Sequence, residues 1–158
     1  MSTQRLPAFT LIGLRLSGKT SNEDGRSGRD CGRLWQEFEQ REIAKRIPNK
    51  LSDAVYAVYF DYEGDHTAPF AYFIGCKVHP DAPVPEGLQS LHVPEQDYSK
   101  IVARGRMPSC VAEAWRAIWQ SDSDRAYGYD FEVYDERSRD WSDAEVDVFV
   151  SVGKRVGG

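Results

Sequence analysis

Long apolar runs are missing from this chain: no stretch approaches the roughly 20 consecutive apolar residues that a membrane-spanning helix needs. Its start, residues 1–9, has neither the basic region nor the apolar core of a secretory leader. A soluble, cytoplasmic protein is therefore expected. Cysteine is scarce, with three in 158 residues. Cys31, Cys76 and Cys110 are odd in number, far apart and outside any paired zinc or redox spacing, so they read as free thiols. His66, His79 and His92 lie in or beside turn sequences, without acidic or cysteine partners at metal spacing, and read as solvated loop side chains. Neither a metal nor another cofactor is expected. Positive charge is also in deficit: 20 Lys and Arg stand against 25 Asp and Glu, for a net charge of -5 with both signs mixed along the chain. That leaves no broad cationic face for phosphates and argues against direct nucleic-acid binding. Catalytic signatures are absent too. Gly18-Lys19-Thr20 lacks the upstream glycine and the following helix pattern of a P-loop. No Ser-His-Asp or Cys-His arrangement can be argued from residue order.

Aromatic residues are plentiful, with four Trp, eight Tyr and seven Phe. The chain has the length of one domain with a sizeable core. Residues 9–17 alternate as a first strand, and residues 18–32 form a polar, Gly-rich loop. From 33 to 47, Leu34, Trp35, Phe38, Ile43 and Ile47 recur on one helical stripe that Pro48 ends. Residues 55–62 and 70–78 are rich in Val, Tyr and Phe and read as a hairpin around Glu63-Gly64-Asp65. The stretch 80–87, with Pro80, Pro83 and Pro85, is a stiff connector that divides the chain nearly in half.

Beyond it, residues 88–93 and 97–103 read as one strand interrupted at Pro94. Ser109 is placed as an N-cap, followed by Val111, Ala114, Trp115, Ile118 and Trp119 at regular helical spacing. Residues 129–135 and 145–152 form a second hairpin, joined by the charged segment 136–143. Both halves thus run strand, helix, strand, strand. Locally, Tyr59-Phe60-Asp61-Tyr62-Glu63 aligns with Phe131-Glu132-Val133-Tyr134-Asp135, and Trp35 aligns with Trp115. The expected fold is α+β: a duplicated β-α-β-β unit over residues 6–153, with halves at about 6–79 and 88–153, paired edge to edge.

With Leu34-Trp35-Gln36-Glu37-Phe38, Val55-Tyr56-Ala57-Val58-Tyr59-Phe60-Asp61-Tyr62-Glu63 and Asp130-Phe131-Glu132-Val133-Tyr134-Asp135 in this order, the sequence resembles the GyrI-like effector-binding domains. That family includes the C-terminal domains of the Rob and BmrR regulators and stand-alone proteins, some on integron cassettes, that bind cationic drugs. The resemblance spans residues 9–152. It implies a pseudo-twofold antiparallel sheet with both helices on one side of a central groove. It also implies that a buried glutamate on a late strand, here Glu132, meets cationic aromatic ligands. Tyr134 shares its strand face, Tyr56, Phe60 and Tyr62 hold comparable places in the first half, and Trp35 and Trp115 close the groove. Fused regulators of the family carry a helix-turn-helix segment of about another hundred residues, for which this chain has no room, so DNA binding is not expected of it.

Alternation by itself puts Tyr129, Phe131 and Val133 on the core face and sends Glu132 outward; the resemblance turns it into the pocket. Tyr56, Phe60, Tyr62 and Tyr134 are either strand aromatics packing across a sheet or ligand contacts. Trp35 and Trp115 divide equally between core and groove, and Trp119 reads as core. Two further functions stay open. A desolvated Glu132 beside a tyrosine suits a small hydrolase of electrophilic compounds. An acidic strand edge at Asp61, Glu63 and Asp65 points weakly to an inhibitor-like protein-interaction module; a protein partner or a homo-oligomer is left open. The leading expectation is a non-enzymatic binder of cationic or aromatic small molecules.

Overall fold

Alternating Val, Ile, Tyr and Phe favour pleated, half-buried backbone. In the computed structural model, which describes residues 2–121 and 124–153, these segments join into one eight-stranded antiparallel sheet. In chain order the elements are β1 (Ser2–Leu6), β2 (Phe9–Arg15), α1 (Arg26–Gln40), α2 (Ile43–Arg46), β3 (Lys50–Phe60), β4 (Ala71–Val78), β5 (Gln89–Val93), β6 (Gln96–Gly105), α3 (Ser109–Gln120), β7 (Asp130–Tyr134) and β8 (Ala144–Ser151). The strands lie side by side as β1-β6-β8-β7-β3-β4-β2-β5. The unit β2-α1-β3-β4 recurs as β6-α3-β7-β8, and the halves meet where β3 pairs antiparallel with β7, Ala57 opposite Glu132.

The outer strands are exchanged. β1, which leads into the first half, pairs with β6 of the second (Ser2 opposite Lys100), while β5, which leads into the second half, pairs with β2 of the first (Phe9 opposite Val93). Residues 88–103 are thus two strands rather than one interrupted strand. Pro94 lies between them, where no ladder donor is needed.

Both helices cover one face of the sheet. Leu34 and Phe38 of α1 pack on Ile12, Leu14, Ala57 and Ile74, and Val111, Trp115 and Ile118 of α3 pack on Ala103, Val146 and Val148. The other face carries Leu11, Val58, Phe73, Tyr98 and Phe131. It is closed by the curl of the sheet into a half-barrel, with Phe131 stacked on Phe149 at 4.8 Å.

The first helix starts seven residues earlier than the expected 33, at Arg26, and breaks at Glu42, whose φ of 49° is left-handed. Its first turns carry Gly28 and Gly32 toward open space and only Cys31 partly onto the core, so the apolar period that announces a helix is missing there. Ser109 is not an N-cap acceptor: it is the first helical residue, and its hydroxyl donates to the Arg106 carbonyl at 3.3 Å.

Gly13 and Gly75 face each other across β2 and β4. A Cβ on Gly13 would lie 1.9 Å from the Ile74 carbonyl oxygen, a backbone atom that cannot swing aside. Gly13→Ala is therefore expected to destabilise the fold by about 2 kcal/mol or more, read as a lower urea midpoint at unchanged slope. A midpoint equal to that of the parent protein would show that the two strands separate freely at this point.

A candidate ligand cleft beneath the two helices

Strand alternation places Asp130, Glu132 and Tyr134 of β7 on the helix-covered face and Phe131 on the other. Both faces are buried, so the apolar alternation that marks Phe131 as core does not send Glu132 to solvent. Glu132 is 2% exposed. Three neutral groups donate to its carboxylate: the Tyr134 hydroxyl to Oε1 at 2.5 Å, and the Tyr59 hydroxyl and Trp115 Nε1 to Oε2 at 2.8 and 2.6 Å. Neutral donors satisfy the lone pairs but leave the charge without a counterion.

Two residues away on the same face, Asp130 is fully buried and differently equipped. Its Oδ1 accepts from the Ser151 backbone N–H and hydroxyl, both at 2.7 Å, and its Oδ2 from the Tyr62 hydroxyl at 2.7 Å. A guanidinium completes this shell: Arg125 Nη2 lies 2.8 Å from Oδ2, with its side chain only 5% exposed. Arg125 also lies over the rings of Tyr127 and Trp115, at 4.3 and 5.8 Å from their centres. Among the described residues, a cation stands against one buried carboxylate and none against the other.

Burial pushes the Glu132 carboxyl above the ordinary carboxylate range, against the pull of its three hydrogen bonds. Burial, and after it the Glu132 charge, raises Tyr59, Tyr72 and Tyr134 well above the usual phenol value, so these hydroxyls stay protonated as donors. The same two causes raise the Cys31 thiol to about 12, which makes it an inert wall group rather than a nucleophile.

Two clefts flank Glu132. The smaller, about 280 Å³, is walled by Tyr59, Tyr62, Trp115, Trp119, Arg116 and Arg125, among others. The larger, about 1000 Å³, runs past Trp35, Tyr134 and Met107 and is bordered by Glu39, Asp53, Asp135 and Glu136. Both touch Gly28 of α1, where a side chain would project into open space. The aromatic donors stand between Glu132 and the clefts, Tyr59 and Trp115 on one side and Tyr134 on the other.

Of the residues singled out in the sequence, Glu132, Tyr134 and Trp115 come together directly. Trp35 stands one step back. It donates to the Tyr72 hydroxyl at 2.8 Å and meets the Tyr134 ring edge-on at 5.1 Å. Tyr56 and Phe60 do not join them around Glu132: their strand parity turns them to the opposite face, although Tyr56 also borders the larger cleft at the strand edge. There Tyr56 packs between Phe9 and Phe131, while Phe60 stacks on Tyr129 at 5.4 Å.

The local alignment that equated Phe60 with Glu132 was out of step by one residue, and a single-residue slip exchanges the faces of a strand. Tyr59, the true neighbour, was passed over for that reason. Asp130 was also missed, although its place two residues before Glu132 on one strand was a usable signal. Trp119 is half-buried: it packs against the core under α3, as expected, and also walls the smaller cleft and stacks on His66 at 5.3 Å, so His66 is not simply a solvated loop histidine.

Comparison with known proteins places the fold. The chain is 30% identical over 155 residues to the transcriptional regulator BrlR of Pseudomonas aeruginosa, covering 92% of this chain and 53% of BrlR. It thus spans about half the length of that relative. An integron cassette protein of Vibrio cholerae superposes with a TM-score of 0.72 at 25% identity, over 96% of this chain and 95% of that one. The structure of SAV2435 bound to tetraphenylphosphonium superposes with a TM-score of 0.76 at 16% identity, over 96% and 93%. Residues 4–152 match the Cass2 family model, and the chain therefore belongs to the integron-associated effector-binding proteins.

Proposed function

We propose that the cleft binds lipophilic aromatic cations and that Glu132 supplies the charge that holds them, so that the protein sequesters such molecules or senses them for a separate partner. The observation that carries this reading is the contrast along β7: Asp130 is buried with Arg125 against it, whereas Glu132 is equally buried and receives only neutral donors. A carboxylate withdrawn from water without a counterion is costly, and an incoming cation offsets that cost. The rings of Tyr59, Tyr134, Trp35 and Trp115 around the clefts offer faces and edges to an aromatic ligand, each cation-π contact contributing ~0.5 to 2 kcal/mol. Family membership supports an effector-binding role, and a protein of the same fold has been seen with tetraphenylphosphonium.

The pH dependence tests this. Only ionised Glu132 attracts a permanent cation. Because burial raises its pKa, the attraction fails at a higher pH than it would for an ordinary carboxylate. Calorimetric titration with tetraphenylphosphonium is expected to give constant affinity at alkaline pH. Below the Glu132 pKa it should fall by up to about tenfold per pH unit.

The stability of the unliganded protein has the opposite sign. A folded-state pKa raised above the unfolded one favours folding in acid, and that contribution is lost as pH rises through the folded value. Cation affinity that stays level from pH about 8 to about 4, with the fold intact by near-ultraviolet dichroism, would overturn the assignment of Glu132.

A further inference from the structure

The smaller cleft carries a second polar feature that a cation does not use. Arg125 walls it with a side chain only 5% exposed. Its Nη2 is committed to Asp130, but its Nε and Nη1 are buried without a hydrogen-bond acceptor among the described residues. Buried guanidinium donors are nearly always paired, and leaving them unmet costs free energy. Arg116 stands on the same wall, and among the described residues no carboxylate side chain lines this cleft. The acidic side chains Glu39, Asp53, Asp135 and Glu136 border the other cleft. Trp115 links the two charges, donating to Glu132 while its ring lies 5.8 Å from the Arg125 guanidinium.

We propose that Arg125 forms an acceptor-binding subsite, so that the preferred ligand is an aromatic cation that also carries a carboxylate. This rests on the reading of Glu132 as the cation anchor and adds a polarity to it: positive end at Glu132, anionic end at Arg125. Asp130 fixes the guanidinium through Nη2, and Nε and Nη1, which lie on different edges of the group, each leave a single charge-assisted donor for an acceptor such as a carboxylate oxygen. A ligand of this kind brings no net charge into the protein interior.

Two size-matched probes test it on the intact protein: (4-carboxybutyl)triphenylphosphonium and pentyltriphenylphosphonium, which differ in having a carboxylate or a methyl at the chain end. Calorimetry is expected to show the carboxylated probe binding on the order of tenfold tighter. In Arg125→Lys, which keeps a cation against Asp130 but removes the guanidinium's additional donors, the ratio of the two affinities is expected to fall to about one, whatever the change in absolute affinity. Equal affinities for the two probes in the unaltered protein overturn the subsite and leave the cation reading standing, since water then suffices for the two nitrogens. A preference that survives Arg125→Lys assigns the carboxylate to another residue and likewise overturns it. Binding of neither probe overturns both readings.

Discussion

Glu132→Gln is expected to weaken tetraphenylphosphonium binding by about thirtyfold or more at neutral pH, equivalent to roughly 2 kcal/mol or more, while leaving the protein folded. The substitution keeps the shape of the side chain. Its amide oxygen can still accept from Tyr59 and Trp115 at the Oε2 position, and its amide nitrogen can donate to the Tyr134 hydroxyl, which then acts as acceptor. What disappears is the charge. Removing an uncompensated buried carboxylate is also expected to raise the melting temperature of the unliganded protein, or at least not to lower it. Calorimetry and a thermal melt on the same preparation separate the two effects. Undiminished affinity would sink Glu132 as anchor, and lost affinity with a collapsed melt would mean only that the variant does not fold.

The same chemistry two residues away has the opposite outcome. Asp130→Ala is expected to destabilise the fold by about 3–5 kcal/mol in urea denaturation, because it leaves the buried Arg125 cation without its partner. It also frees the Tyr62 hydroxyl and both donors of Ser151. A loss below about 1 kcal/mol would mean that Arg125 turns outward to water when released. The two variants together weigh the central contrast of the site. One buried carboxylate is part of the internal framework, and removing it damages the fold. On the proposed reading the other is held ready for something from outside, and removing it is expected to damage binding.

Much of the framework was legible in the sequence because it rests on short-range patterns. The order strand, helix, strand, strand, given twice, follows from alternation, from the stripe through Trp115 and from the prolines at 80–85, and the sheet has that order. The exchanged strands were not legible. Nothing local in residues 2–6 says that their partners lie at 96–100, since pairing at such separation is decided by which edges the finished halves leave open. The early turns of α1 were hidden for a related reason: they face a cleft, and a cleft imposes no apolar period.

Within the site, Glu132 could be placed only from the resemblance, against the apolar alternation; Tyr134 followed from sharing its strand face, and Trp115 from the helix stripe together with the resemblance. Tyr59 could not be placed, because parity in β3 depends on the register with β7, in which Ala57 stands opposite Glu132. Arg125 lies in a segment without periodic pattern and is tied in by a single bridge to Val152, so only tertiary structure brings it to Asp130.

The exchange of β1 and β5 has a consequence for how the molecule holds together. Each half closes its outer edge with a strand contributed from beyond the other, as two hands clasp, so neither can open fully without disturbing its counterpart. Contacts of such long sequence separation make folding slow, and they bind the sheet into one cooperative unit. The seam between β3 and β7, where Glu132 lies, is therefore held shut from both rims, and an entering molecule meets a cavity whose walls the chain has already tied in place.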